Sequence, residues 1–280
     1  MHETKEYIVE SLKTLYRPEE IGCLTRRILQ KVCGYSFPQQ IMRKDTQLSD
    51  MEKETIRPIV QRLKNHEPLQ YIFGEVEFYG LLLEVNPTVL IPRPETEELV
   101  KIILQTQPAG GLRVLDVGTG SGCLAVTLAK RLAGADVSAI DVSEAALETA
   151  RRNALRNDAP VRFIQADILA DTLLDELPVF DMIVSNPPYV MEREKAGMKP
   201  NVLEYEPHLA LFVPDDDPLL FYRRIADIGL EKLKPNGLLY FEINRSCGDM
   251  MEEMLTQKGF RGIERTYDLC GNERFIKASR

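Results

Sequence analysis

The chain has 280 residues, 44% of them hydrophobic, with 35 Lys+Arg against 43 Asp+Glu and a net charge of −8. That length and apolar content exclude a disordered chain and predict a large core shared between two domains. The acidic balance, without a Lys/Arg stripe, argues against a surface built to neutralise nucleic-acid phosphates, and five cysteines with no C-x-x-C pair argue against a zinc site or a disulfide framework.

Residues 1–67 read as a small helical domain. Pro18 opens and Gly34 closes a helix with Ile21, Leu24, Ile28, Leu29 and Val32 on one stripe. Ser49-x-x-Glu52 is a capping box for a second helix, with Ile56, Ile59, Val60 and Leu63 on one face. Residues 1–90 carry 12 Lys+Arg against 13 Asp+Glu and the remainder 23 against 30, so the negative charge lies mostly on the C-terminal part.

Residues 112–117 predict a strand that runs into Gly118-Thr119-Gly120-Ser121-Gly122 and then a helix from Leu124. Glycines let the backbone pass close to a ligand, and the helix N-terminus offers free N–H groups to a carboxylate or phosphate. The spacing is G-x-G-x-G, not the G-x-G-x-x-G of dinucleotide binders. A second strand, 135–140, ends in Asp141, roughly 20 residues on, where a carboxylate holds two ribose hydroxyls. Residues 143–157 form a helix with Ala146, Leu147, Ala150 and Ala154 on one face. A third strand, 161–165, leads to Asp167 and Ile168, a carboxylate for an exocyclic amine and an apolar side chain for a flat ring; Asp167 reads equally well as a helix cap.

The fourth strand, 179–184, runs into Asn186-Pro187-Pro188-Tyr189. Each proline lacks an N–H and biases the preceding residue toward extended backbone, so the Asn186 and Pro187 carbonyls stay available as acceptors. Asn186 adds a side-chain acceptor and Tyr189 a flat face, a pocket suited to a planar NH2 group; taken alone, the string is as readily a structural turn. A helix at 219–233 stopped by Pro235-Asn236-Gly237, a fifth strand at 238–243, a helix near 248–258 and edge strands at 261–267 and 273–278 complete the pattern. Such alternation predicts an α/β doubly wound sheet, whose ligands bind beyond the strand ends where the winding reverses. If the fourth strand neighbours the first, Asn186 and the glycine loop open onto one crevice.

At these residues the chain resembles the class I S-adenosylmethionine-dependent methyltransferases, and within them the PrmC/HemK family of glutamine N5-methyltransferases acting on peptide chain release factors. The resemblance is carried by Pro68 to Gly74, Val89-Leu90-Ile91-Pro92-Arg93-Pro94-Glu95-Thr96-Glu97, Asp116 to Cys123, Ser185 to Val190, Glu206 to Leu211 and Asp268 to Phe275. It implies a Rossmann-like domain at 92–280, a connecting hairpin at 68–91 and a helical substrate-binding domain at 1–67. It further implies S-adenosylmethionine on Gly118, Thr119, Gly120, Ser121 and Gly122, with its ribose on Asp141 and its adenine near Asp167 and Ile168. The substrate glutamine, from a Gly-Gly-Gln loop, falls to Asn186, Pro187, Pro188 and Tyr189. Three places depart from the family pattern: Asn244 stands where a glycine is usual, which is compatible with a left-handed turn, Cys247 where a glutamine is usual, and Val213-Pro214-Asp215-Asp216-Asp217 in place of a glycine-richer loop.

No metal is expected, and none of His2, His66 and His208 sits in a readable base-and-orienter arrangement. The same Asn-Pro-Pro-Tyr string occurs in enzymes that methylate adenine in DNA, but the acidic charge disfavours that rival. A non-catalytic cofactor sensor would need no such string. The expectation is a cytoplasmic, monomeric enzyme that binds neither nucleic acid nor membrane, since no apolar run reaches the ~18 residues a membrane helix needs.

Overall fold

A computed structural model describes residues 1–106, 110–170 and 177–280. The chain divides into two units, the first formed by Met1–Phe73 with Pro200–Tyr205 and the second by Gly74–Lys199 with Glu206–Arg280.

The first unit is helical: α1 (His2–Leu12), α2 (Pro18–Cys33), α3 (Phe37–Met42), α4 (Asp50–Lys64) and α5 (Leu69–Phe73). The two apolar stripes meet α1 in one core that contains Ile8, Leu12, Ile28, Leu29, Ile56, Val60 and Leu63. Gly34 ends α2 at φ 70°, and Ser49 accepts the Glu52 N–H at 3.2 Å while Glu52 accepts the Ser49 N–H at 2.7 Å. Pro200–Tyr205 returns to this unit from far along the chain, and the Tyr205 hydroxyl donates to the Asn65 carbonyl at 2.6 Å. No local pattern announces that return.

The second unit opens with a hairpin, β1 (Glu75–Phe78) and β2 (Leu81–Glu84). Its two-residue turn, Tyr79-Gly80, has both φ values positive, at 48° and 75°, the geometry that matches strand twist. The expected hairpin segment therefore contains only ten paired or turning residues, preceded by the short helix α5. Then follow α6 (Pro94–Thr106), β3 (Arg113–Val117), α7 (Cys123–Arg131), β4 (Asp136–Asp141), α8 (Glu144–Arg156), β5 (Val161–Gln165), β6 (Phe180–Ser185), β7 (Val190–Met191), and α9 (Pro200–Leu203), which lies in the first unit. The second unit resumes with β8 (Phe212–Val213), α10 (Leu220–Lys232), β9 (Leu233–Glu242), α11 (Gly248–Gln257), β10 (Arg261–Tyr267) and β11 (Glu273–Ser279).

Seven of these strands form one sheet in the order β10-β11-β9-β6-β3-β4-β5. The five strands from β9 to β5 pair in parallel and the last two antiparallel. Winding runs outward from β3 through β4 to β5, then crosses to β6 on the other side of β3. The switch point therefore lies between β3 and β6, which meets the condition for the glycine loop and Asn186 to open onto one crevice, and the α/β doubly wound sheet is the one expected.

The fifth strand differs from expectation, because β9 begins at Leu233 instead of Leu238. Phe180 pairs with Leu233 and Met182 with Leu238, so residues 234–237 bulge out of the ladder, with Asn236 at φ 62°. Pro235-Asn236-Gly237 thus interrupts a strand instead of separating it from a helix. Pairing of β7 with β8 is a second unanticipated feature; it holds the segment after Tyr189 beside residues 211–213.

Candidate active site

The glycine loop leaves β3 and enters α7 with Gly118, Gly120 and Gly122 at φ 74°, 55° and 80°. Glycine is required at 122 for a second reason, since an added Cβ would stand 3.0 Å from the Ala150 Cβ on α8. Beneath the loop the buried Asp116 accepts the Thr119 hydroxyl at 2.6 Å and the Ala125 N–H at 3.2 Å. Burial pushes its carboxyl up to about 7 against those two bonds. At the end of β4, Asp141 accepts the Gly120 N–H on Oδ2 at 2.8 Å and the Ser143 N–H on Oδ1 at 2.9 Å. Burial raises its pKa and the backbone N–H bonds pull it back. The Val142 N–H also bonds this carboxylate, which lines the cavity beside the glycine loop.

After β5, the exposed Asp167 accepts the Leu169 N–H at 2.9 Å, which caps a turn, and Ile168 packs on the rim of the core. Arg224 on α10 fixes that turn by donating to the Ile168 carbonyl at 2.6 Å and the Ala170 carbonyl at 3.0 Å.

Across the switch point the Ser185 hydroxyl donates to the Val117 carbonyl at 2.6 Å and ties the ends of β6 and β3 together. Asn186 follows directly, and its Nδ2 donates to the Thr96 hydroxyl oxygen at 3.2 Å. Thr96 lies in the first turn of α6 and donates to Glu242 Oε2 at 2.7 Å. Glu242, 1% exposed at the end of β9, also receives the Tyr189 hydroxyl on Oε1 at 3.3 Å. Burial pushes its carboxyl up to about 7, opposed by the Thr96 bond and by the positive charge of Arg274. Arg274 donates to the Ile243 carbonyl at 3.1 Å and to Asp268 at 3.4 Å; Asp268 in turn gathers the Cys270 and Asn272 N–H groups at 2.9 and 2.8 Å.

One cavity of about 360 Å³ is lined by Gly118, Thr119, Gly120, Ser121, Asp141, Asp167 and Ile168 together with Asn186, Pro187 and Pro188. Two expected site residues lie outside that lining. Gly122 faces Ala150, and the partly buried Tyr189 packs against the core with its hydroxyl on Glu242. Asn244 is not left-handed. Its Nδ2 donates to the Tyr189 carbonyl at 3.1 Å and to Glu194 at 3.2 Å, contacts that a glycine here could not make.

Sequence reasoning gave no roles to Arg93, Thr96, Glu206 or Glu242. Arg93 and Thr96 line the cavity, and the buried Glu206 accepts from Arg93 at 2.6 Å and from the Ile91 N–H at 3.1 Å. One signal was present: Glu242 is a carboxylate inside an apolar strand run, where an unpaired charge is rarely tolerated. Its partner Thr96 is 146 residues away, out of reach of any local pattern.

The PrmC N-terminal domain family model matches residues 7–74, and that of the Methyltransferase small domain matches residues 96–203. The release factor glutamine methyltransferase of Bacteroides thetaiotaomicron is 45% identical over 280 residues, covering 100% of both chains. That of Flavobacterium psychrophilum is 43% identical over 275 residues, 97% of this chain and 96% of the relative. Among solved structures, a methyltransferase from Pyrococcus furiosus shares the fold with a TM-score of 0.53 at 23% identity, over 72% of this chain and 89% of that one. A Thermus thermophilus 16S rRNA methyltransferase solved with AdoMet and guanosine does so with a TM-score of 0.55 at 19% identity, over 74% and 49%.

Proposed function

The chain belongs to the release factor glutamine methyltransferase family, and we propose that it methylates the side-chain amide nitrogen, N5, of the glutamine in the Gly-Gly-Gln motif of peptide chain release factors. S-adenosylmethionine, when bound, supplies an electrophilic methyl group. The residues present suit that cofactor: the cavity has ligand size, its glycine loop is open to close approach at Gly118 and Gly120, and the Asp141 carboxylate lines it beside the loop. Gly118 to Ser121 would hold its methionine part, Asp141 its ribose, and Asp167 with Ile168 its adenine. Gly122 shapes this cradle from behind.

The observation that carries the substrate assignment is the orientation of Asn186. Its Nδ2 is committed to Thr96, so its Oδ1 is the acceptor left for an incoming amide. A glutamine NH2 is a weak nucleophile because its lone pair is delocalised into the carbonyl. Asn186 Oδ1 and the Pro187 carbonyl accept its two N–H bonds, favour positive charge developing on nitrogen and fix its direction of approach. The methylated nitrogen then loses one proton to water, so no strong base is required. Tyr189 would pack on the amide plane, with its hydroxyl held by Glu242.

Among the described residues no helix is long and apolar enough to cross a membrane, and all five cysteines are free. Free cysteines accord with a reducing compartment.

Mass spectrometry of a digested release factor, after incubation with the enzyme and labelled S-adenosylmethionine, tests the proposal. One methyl on the Gly-Gly-Gln glutamine is expected, and Asn186→Ala should lower kcat by about 10²- to 10³-fold. Label on adenine of duplex DNA and none on the release factor would reject it.

A further inference from the structure

The hydrogen bonds behind the Asn-Pro-Pro-Tyr turn run in one direction. Glu242 Oε2 accepts, so the single hydroxyl proton of Thr96 is spent on it at 2.7 Å. The Thr96 oxygen can then only receive, and at 3.2 Å it receives from Asn186 Nδ2. Exchanging the Asn186 nitrogen and oxygen would set two acceptors against each other at that distance, in a place where Thr96 and Glu242 are each 1% exposed and water cannot compensate. The direction survives protonation of the carboxyl on Oε1, since Oε2 still accepts. The same carboxyl receives the Tyr189 hydroxyl at 3.3 Å, so both ends of the Asn-Pro-Pro-Tyr turn are tied to one group.

We infer that Glu242, acting through Thr96, is a positioning residue that locks the Asn186 amide with its oxygen toward the substrate nitrogen. This deepens the proposed methyl transfer and rests on it. Thr96 and Glu242 need not touch the reacting atoms; they decide which atom of Asn186 does. A flipped Asn186 would present NH2 to NH2 and repel the substrate amide.

The test compares Thr96→Val, which keeps the shape but removes the hydroxyl, with Thr96→Ser, which keeps the hydroxyl. Each is measured alone and combined with Asn186→Ala, for kcat and KM on a release factor, for S-adenosylmethionine binding by calorimetry and for thermal melting. Thr96→Val should lower kcat by about 10- to 100-fold, the scale of a misaligned reacting group, with KM and cofactor binding changed less than about threefold. Thr96→Ser should recover most of that loss. In the Asn186→Ala background Thr96→Val should add almost nothing, because the two act as one unit. Glu242→Met, which removes both acceptors at similar volume, should be equally non-additive with Thr96→Val.

A readout independent of turnover is the side-chain NH2 resonance pair of Asn186 in cofactor-free protein, identified by its loss in Asn186→Ala. It should shift in Thr96→Val and return in Thr96→Ser. Near-normal kcat in Thr96→Val beside a defective Asn186→Ala would overturn the inference, as would additive losses, or equal losses in Thr96→Val and Thr96→Ser. Absence of methyl transfer by the wild-type enzyme would instead reject the functional reading, while the resonances would still report whether Thr96 holds the amide.

Discussion

Replacing Gly122 and Gly118 by alanine, one at a time, separates two demands that the glycine loop makes on its residues. Both positions have positive φ, at 80° and 74°, so both alanines meet the same left-handed strain of about 1–2 kcal/mol. Both also gain the same small stabilisation from a less flexible unfolded chain, which cancels in the comparison. Space is what differs. A Cβ at Gly118 meets nothing within 4 Å, whereas at Gly122 it stands 3.0 Å from the Ala150 Cβ and 3.3 Å from both the Ala150 Cα and the Val126 Cγ2. Two of those atoms are backbone or directly attached to it, on a helix packed into the sheet, and cannot swing aside. Overpacking of this kind costs about 1–3 kcal/mol. Gly122→Ala should therefore be less stable than Gly118→Ala by that amount, which in a domain of about 200 residues lowers the melting temperature by a further 2–12 °C or so. Thermal melts by circular dichroism without cofactor, with denaturant titration as a second measure, read the difference directly. Equal melting temperatures would refute the reasoning by showing that α8 yields freely.

Asp141→Ala should weaken S-adenosylmethionine binding by about 1–3 kcal/mol in calorimetry, because a partly buried carboxylate lining the cavity is removed; unchanged affinity would remove Asp141 from the proposed cofactor site. Glu242 is raised to about 7 in the fold from an ordinary 4.5, so the native state retains a proton that the unfolded chain releases, and this group's contribution falls as pH rises from about 4.5 to 7. Glu242→Gln abolishes that titration, so its stability relative to wild type should improve between pH 5 and pH 8 by up to about 3 kcal/mol, and a pH-independent difference would show that Glu242 is ionised throughout. Asn244→Gly, which restores the residue usual in the family, should destabilise by about 1–2 kcal/mol by releasing the Tyr189 carbonyl and Glu194; a stabilised variant would mean that the asparagine side chain contributes nothing.

The residues proposed to hold the cofactor could be brought together from sequence because their determinants are local. Gly118 to Gly122, Asp141 and Asp167 each end or follow a strand whose apolar run is plain in the sequence, and parallel winding then brings those ends to one edge. Asn186 was legible for the same reason, sitting at the end of β6. For Tyr189 a four-residue string says which groups are present but not which way a ring turns beyond two prolines, and its hydroxyl contact with Glu242 was not legible. At Asn244 a backbone explanation was expected for what is a side-chain contact. Thr96 and Glu242 escaped because each is ordinary in its own neighbourhood and gains meaning only from the other.

The separations along the chain also order how the site comes together. The cradle closes over short spans: Asp141 reaches Gly120 across 21 residues, and Asp116 reaches Thr119 across 3. The group that aims Asn186 closes over spans of 90 residues to Thr96 and 146 from Thr96 to Glu242. Chain entropy lost on closing a loop grows with the logarithm of its length, so joining Thr96 to Glu242 costs about 1.7 kcal/mol more than joining Asp141 to Gly120. On this account a nascent or partly opened molecule builds a place for the cofactor before it can aim a nucleophile, and amide hydrogen exchange should find residues 113–141 protected earlier in refolding than the first turn of α6.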